Sequence, residues 1–129
     1  MSMPYQFYTP TISAKGVDLN TVGDTVVKVP YGKWIIRRMT LTNASTTLAA
    51  SSATIGAYTA AAAGGTALVT PATATGLTAA SKFNDRTIAA TADSFTGSAI
   101  YIRVGVANGA AATCDVYIEL ECLENPGTG

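Results

Sequence analysis

Hydrophobic and polar positions alternate with a period of two over much of this chain, most cleanly towards its C-terminal end. Ile100, Ile102, Val104 and Val106 are interleaved with Tyr101, Arg103 and Gly105. Further on, Cys114, Val116, Ile118, Leu120 and Cys122 are interleaved with Asp115, Tyr117, Glu119 and Glu121, and Thr113 begins the run. Side chains on a strand point alternately to its two faces, so each run reads as a strand with one apolar and one polar face. Asn108-Gly109 lies between them and is a strong signal for a tight turn. The two runs are therefore expected to form one half-buried antiparallel hairpin.

Upstream the strands are shorter. Residues 25–29 predict a strand that Pro30 ends, with a turn at Tyr31-Gly32. Residues 34–43 predict another, with Ile35, Met39 and Leu41 on one face and Ile36, Thr40 and Thr42 on the other. Apolar residues on both faces imply partial cover on both sides. The middle of the chain, residues 44–80, is rich in Ala, Thr, Ser and Gly. Within it, residues 54–59 read as a strand carrying Ile55 and Tyr58. Ala62-Ala63-Gly64-Gly65 reads as its hairpin loop and residues 66–70 as the return strand. Alanine favours helix in isolation, but the interleaved Thr and Gly and the proline at Pro71 oppose it. Residues 83–89 read as a further strand. Many short strands between turn signals predict an all-β, single-domain β-sandwich, jelly-roll-like, with no helix of ordinary length.

Residues 1–16 are expected to form an extended N-terminal arm, residues 17–124 the sandwich and residues 125–129 a C-terminal tail. Pro4 and Pro10 block helix in the arm, and Tyr5, Phe7 and Tyr8 are interleaved with polar residues. Such an arm either packs on its own domain or reaches a neighbouring subunit, and its three aromatics are candidate partner contacts.

Composition narrows the function. A chain of 129 residues suits one domain and buries enough surface to need no metal or disulfide. The hydrophobic share is 48%, much of it alanine, and charged residues make up 12%, about half the usual share. Eight basic residues balance eight acidic ones, so no long-range field attracts nucleic acid. Low charge and small side chains suit a surface that neighbours cover better than the surface of a free monomer. With no basic, apolar leader and no run of membrane-spanning length, the expectation is synthesis in a host cytoplasm and no membrane partner. Cys114 and Cys122 lie eight residues apart on one predicted strand, roughly 26 Å against a disulfide limit of about 7 Å, so buried free thiols are expected.

The chain has no histidine, which removes Ser-His-Asp and Cys-His catalysis and histidine-based zinc sites. It has no P-loop and no dinucleotide fingerprint, and Asp18, Asp24 and Asp93 do not cluster as a calcium loop. No cofactor and no metal are expected. Glu119 and Glu121 share a strand face roughly 7 Å apart, the kind of carboxylate pair a glycosidase uses, but a solvated or salt-bridged face accounts for them without chemistry. Charge is segregated along the chain. Between Asp24 and Asp85 every charged residue is basic (Lys28, Lys33, Arg37, Arg38 and Lys82), while from Asp115 to Glu124 all are acidic. This pattern serves either ion pairs between strands of one fold or opposed patches between subunits. In the second case Arg37, Arg38, Glu119 and Glu121 are candidate partner contacts.

Several phrases then carry a likeness. They are Asp18-Leu19-Asn20 through Val29-Pro30-Tyr31-Gly32, Leu41-Thr42-Asn43-Ala44, Ala62-Ala63-Gly64-Gly65-Thr66-Ala67, Tyr101-Ile102-Arg103-Val104-Gly105, and Asn108-Gly109 through Val116-Tyr117-Ile118. From about Val17 onward the chain resembles small accessory virion proteins of tailed phages and prophages, of the decoration or cement type. The resemblance implies a β-sandwich in the virion, bound to the capsid exterior as a trimer or in quasi-symmetric copies. Its partners would be the major capsid protein or other virion proteins, and it would have no enzymatic role. It assigns no residue a function. The alternative is a binding module, a fibre or lectin-like domain that attaches to host glycans. Trp34, Tyr58, Tyr101 and Tyr117 are then its candidate sugar-stacking rings, although core packing is the expectation for Trp34. An enzyme built on Glu119 and Glu121 ranks last.

Overall fold

The computed structural model describes residues 6–48, 51–77, 83–90 and 93–124, with side chains described for 9–48, 51–77, 83–90 and 93–122. In chain order the strands are β1 (Gln6–Tyr8), β2 (Thr11–Asp18), β3 (Gly23–Lys28), β4 (Trp34–Thr42), β5 (Thr54–Ala60), β6 (Gly64–Thr73), β7 (Phe83–Asp85), β8 (Ala99–Val106) and β9 (Thr113–Glu124). The described residues contain no helix. All pairings are antiparallel and make two sheets. In the first, β9 is flanked on one side by β1 and β2 and on the other by β4, which pairs with β7. The second runs β3-β8-β5-β6.

Alternation explains the arrangement. Cys114, Val116, Ile118, Leu120 and Cys122 of β9 are buried, as are Ile100, Ile102 and Val104 of β8. They join Trp34, Ile36, Met39 and Leu41 of β4 and Ile55, Leu68 and Val69 of β5 and β6 in one apolar cluster. Each such large side chain, once fully buried, contributes about 1.5–3 kcal/mol. The all-β, sandwich-like arrangement agrees with the expectation from sequence.

Several elements differ from that expectation. The strands β8 and β9 do not form a hairpin, because they lie in opposite sheets. The loop between them bonds to the β2–β3 connection instead. Asn108 N–H donates to Leu19 O (2.9 Å), Leu19 N–H to Ala112 O (2.9 Å) and Gly109 N–H to Asn20 Oδ1 (2.8 Å). Two strands with one apolar face each can bury those faces side by side or across a core, and the periodicity is identical in both cases.

On β4 the expected faces are reassigned by a bulge. The register on β9 jumps from Ile36↔Leu120 to Arg38↔Glu119, so Arg37 is an extra residue. The bulge brings Trp34, Ile36, Met39 and Leu41 to the same buried face and leaves Arg37 and Arg38 both exposed.

The β5–β6 turn is Ala61-Ala62-Ala63, and Gly64 and Gly65 already belong to β6, which continues to Thr73. Of residues 83–89 only Phe83–Asp85 are a strand on β4, while Ile88 bridges to Val69 of the other sheet. The expected N-terminal arm is extended but does not project. From Gln6 it runs along β9, broken at Thr9-Pro10 and bulged between Ala14 and Val17.

Candidate functional site: the outer faces of the two sheets

The polar side chains of β9 face outward from the first sheet, and most meet a basic or amide partner within the chain. Arg37 pairs with Glu121, its Nε donating to Oε2 at 2.6 Å. Arg38 turns the other way and pairs with Asp85 of β7 at 3.1 Å. Thr40 Oγ1 donates to the same carboxylate at 2.6 Å. Lys15 pairs with Asp115 at 3.9 Å, donates to the Tyr117 hydroxyl and lies 4.4 Å over the Tyr117 ring. Among the four predicted contacts on this face, the structure therefore joins Arg37 to Glu121. Arg38 and Glu119 are opposed in the ladder, but the Arg38 guanidinium goes to Asp85. Of the ion pairs on this face, only Arg37 to Glu121 joins the basic segment to the acidic one.

Tyr5 lies outside the described residues. Phe7 and Tyr8 sit on β1, opposite Leu123 and Cys122, and their side chains lie outside the described set.

Asp115 anchors one end of this face. Gly16, with φ +63°, turns its N–H onto Oδ1 (2.8 Å), and Asn43 Nδ2 donates to Oδ2 (3.0 Å). The Asn43 amide first, then the Gly16 N–H and the Lys15 charge, hold the carboxyl below its ordinary range. Lys15 is shifted up, chiefly by its hydrogen bond to Tyr117.

The outer face of the second sheet has a different character. Val26 is opposite Tyr101, Tyr101 opposite Tyr58, and Tyr58 opposite Ala67, so one register row of apolar and aromatic side chains crosses all four strands. Val26 is 54% exposed and the two tyrosines are half-buried. The neighbouring row holds an ion pair, Arg103 to Asp24 at 3.2 Å, and Asp24 also accepts the Ala62 N–H at 2.8 Å. Sequence reasoning marks Tyr58 and Tyr101 as candidate sugar contacts but misses that they are cross-strand neighbours. That adjacency depends on the β5–β8 register, which no local pattern carries.

Trp34 plays no part in either face. It is fully buried, its Nε1 donates to Gly97 O at 2.8 Å, and its ring lies 5.2 Å from that of Phe95.

A buried cation links the two sheets. The Arg86 guanidinium donates to Thr73 O (3.1 Å), Ile55 O (3.3 Å), Ala72 O and Asn84 Oδ1 (3.0 Å). Its Nε has no partner among the described residues, and burial lowers its pKa. The register of β5 on β6 shifts between Ile55 and Ala57, so the carbonyls it caps lie where the ladder is irregular. Burial also pushes the Cys114 thiol up to about 12. The described residues include no cluster of metal-ligating side chains. The chain matches no protein-family model, no curated protein and no solved structure.

Proposed function

We propose that this chain is a structural protein of a phage virion that decorates or cements the capsid exterior and binds the major capsid protein or another virion protein. The observation that carries the reading is the row Val26-Tyr101-Tyr58-Ala67 across the second sheet. A continuous apolar and aromatic strip with few charges is what a protein partner covers. Most charges on the opposite sheet are already satisfied within the chain, which leaves the second sheet as the face to be covered.

The strand order supports a jelly roll. Leaving β1 aside, the chain places β2, β4, β7 and β9 in one sheet and β3, β5, β6 and β8 in the other, in the orders β2-β9-β4-β7 and β3-β8-β5-β6. Eight strands in two four-stranded sheets is also what a jelly roll has. In this reading the chain has no catalytic role. It acts by burying surface at capsomer junctions, and each bound copy stabilises the particle by mass action.

Purified protein mixed with intact and with stripped heads of the phage that encodes it tests the proposal. Co-sedimentation at a fixed copy number, weakened by Tyr101→Ser and Tyr58→Ser, is the expected result. Protein that stays in the supernatant with both kinds of head overturns it. The tyrosine pair also fits a glycan-binding module, since neighbouring rings can stack on sugars. Binding to host surface glycans, lost with the same substitutions and without head binding, would establish that reading in its place.

A further inference from the structure

The four edges of the two sheets are not equivalent. In the first sheet the β1–β2 edge is broken at Pro10 and bulged at Lys15-Gly16, and the opposite edge, β7, is three residues long. In the second sheet the outer edge of β6 is taken by the segment that follows β7. Thr70 N–H donates to Thr87 O (2.9 Å), and Ala89 N–H donates to Leu68 O (2.9 Å). Interruption, shortness and cover are the usual ways of preventing a sheet edge from pairing with another chain.

The β3 edge has none of these. Gly23–Lys28 pairs with β8 without a register shift and contains no proline. The same register continues to Val29, whose N–H donates to Ser98 O at 2.8 Å. Hydrogen-bonding direction alternates along a strand. With Val29 directed at β8, so are Val27 and Thr25, and the N–H and C=O groups of Lys28, Val26 and Asp24 point away from the sheet. Among the described residues no backbone group bonds to them.

We propose that β3 pairs antiparallel with the β3 of a second copy of this chain, about a two-fold axis at Val26. This register is self-complementary. It sets Val26 opposite its own copy, Asp24 opposite Lys28 of the second copy, and Lys28 opposite Asp24. All three residues belong to the set with outward backbone groups, so each of these pairs exchanges two main-chain hydrogen bonds. All three side chains project on the outer face, where opposite charges directly across a ladder attract and like charges repel. Val26, 54% exposed in the single chain, is covered at the centre. Lys28 has no ion-pair partner among the described residues, whereas in the dimer it gains Asp24. A lysine on an edge strand repels most incoming strands, so its pairing with an acid in the self-register also selects the partner. The symmetry is isologous and closed, which stops assembly at two. The two second sheets join into one continuous eight-stranded sheet, and the aromatic row of each copy runs into the other.

The inference does not rest on the virion reading. A dimer that ignores phage heads would keep this proposal and sink that one.

Sedimentation velocity of the full chain from about 5 µM to about 1 mM tests it, a range set by an edge interface smaller than a standard one. A reversible monomer–dimer equilibrium is expected. Lys28→Asp puts two acids opposite each other at both ends of the ladder and should weaken the dimer by at least about tenfold. Asp24→Lys should do the same with two lysines. An equimolar mixture of these two variants restores a dimer, because the β3 of one chain then carries acids at both ends and faces lysines at both ends of the other. Asp24→Lys also removes the partner of Arg103, so Val26→Pro serves as a second, independent variant. It deletes the outward N–H at the axis, takes no bond from the β3–β8 ladder, and should give a folded monomer by circular dichroism. A wild-type chain that stays monomeric throughout the range overturns the proposal. So does any oligomer that Lys28→Asp and Val26→Pro leave unchanged.

Discussion

Arg86 reaches from the end of β7 in the first sheet to the carbonyl oxygen of Ile55 in the second, 3.3 Å from its Nη2. The same guanidinium caps Ala72 O and Thr73 O, which follow the β6 irregularity. A buried carbonyl left without a donor costs about 1–3 kcal/mol. Arg86→Met keeps much of the length and loses every donor. It is expected to lower unfolding stability by about 3 kcal/mol, seen as a lower urea midpoint with an unchanged slope. Arg86→Lys, which keeps one charge but not the fork, should recover only part of that loss.

Arg86 also shows where sequence reading stops. Nothing around it predicts burial, because its position follows from a chain that leaves β7 and crosses to the other sheet. The period-two alternation of β8 and β9 identifies their buried faces except at Val106, which is 49% exposed at the end of β8. It does not identify their partner, since apolar faces that meet across a core and faces that lie side by side leave the same pattern. The β4 bulge likewise moves Met39 and Leu41 onto the face of Trp34 and Ile36, and one extra residue at Arg37 leaves no compositional mark. Of the four charged side chains expected at a partner, Arg37, Arg38 and Glu121 each have an ion pair within the chain. The aromatic row needs the register between β5 and β8, which is a long-range fact.

Asp115 gives the fold an acid-side dependence. Its carboxyl is held below the ordinary value of 3.8, chiefly by the Asn43 amide and then by the Gly16 N–H. A carboxyl depressed in the folded state contributes stability that is fully present above its unfolded pKa and is lost as pH falls through the folded one. Asp115→Asn should therefore be less stable than wild type near neutral pH, and the gap should close as pH falls below about 4. Asn43→Ala should narrow the same gap from the other partner. Thermal unfolding at a series of pH values measures both, and a gap that stays constant down to pH of about 2 would contradict the assignment.

The two thiols should be inert in the folded chain. Cys114 and Cys122 are both buried on the inner face of β9 and are not bridged to each other. Burial holds Cys114 near 12, so almost no thiolate forms at neutral pH. A thiol reagent at pH 8 is expected to label neither residue until denaturant is added, when both react. The labelling rate then reports opening of the core, and reducing agent should leave the melting temperature unchanged. Rapid labelling of Cys114 in native buffer would show that the sheets do not enclose it.

The β5–β6 turn is built from the wrong residues for its backbone. Ala62 and Ala63 have φ values of +56° and +61°, and the Gly64 N–H closes the turn on Ala61 O at 3.0 Å. Left-handed backbone at both central positions is a type I′ turn, which favours Asn-Gly because alanine there sets Cβ against the carbonyl oxygen. The Ala62 N–H donates to Asp24, and Asn retains that donor. The double substitution Ala62→Asn, Ala63→Gly should raise stability by about 1 kcal/mol, or about 3 °C in melting temperature for a chain of this size. Ala61→Gly is the control. Ala61 is not in the left-handed region, so glycine there relieves nothing and adds freedom to the unfolded chain. Equal gains from both changes would mean that the handedness of the turn at Ala62 and Ala63 does not limit the stability of this hairpin.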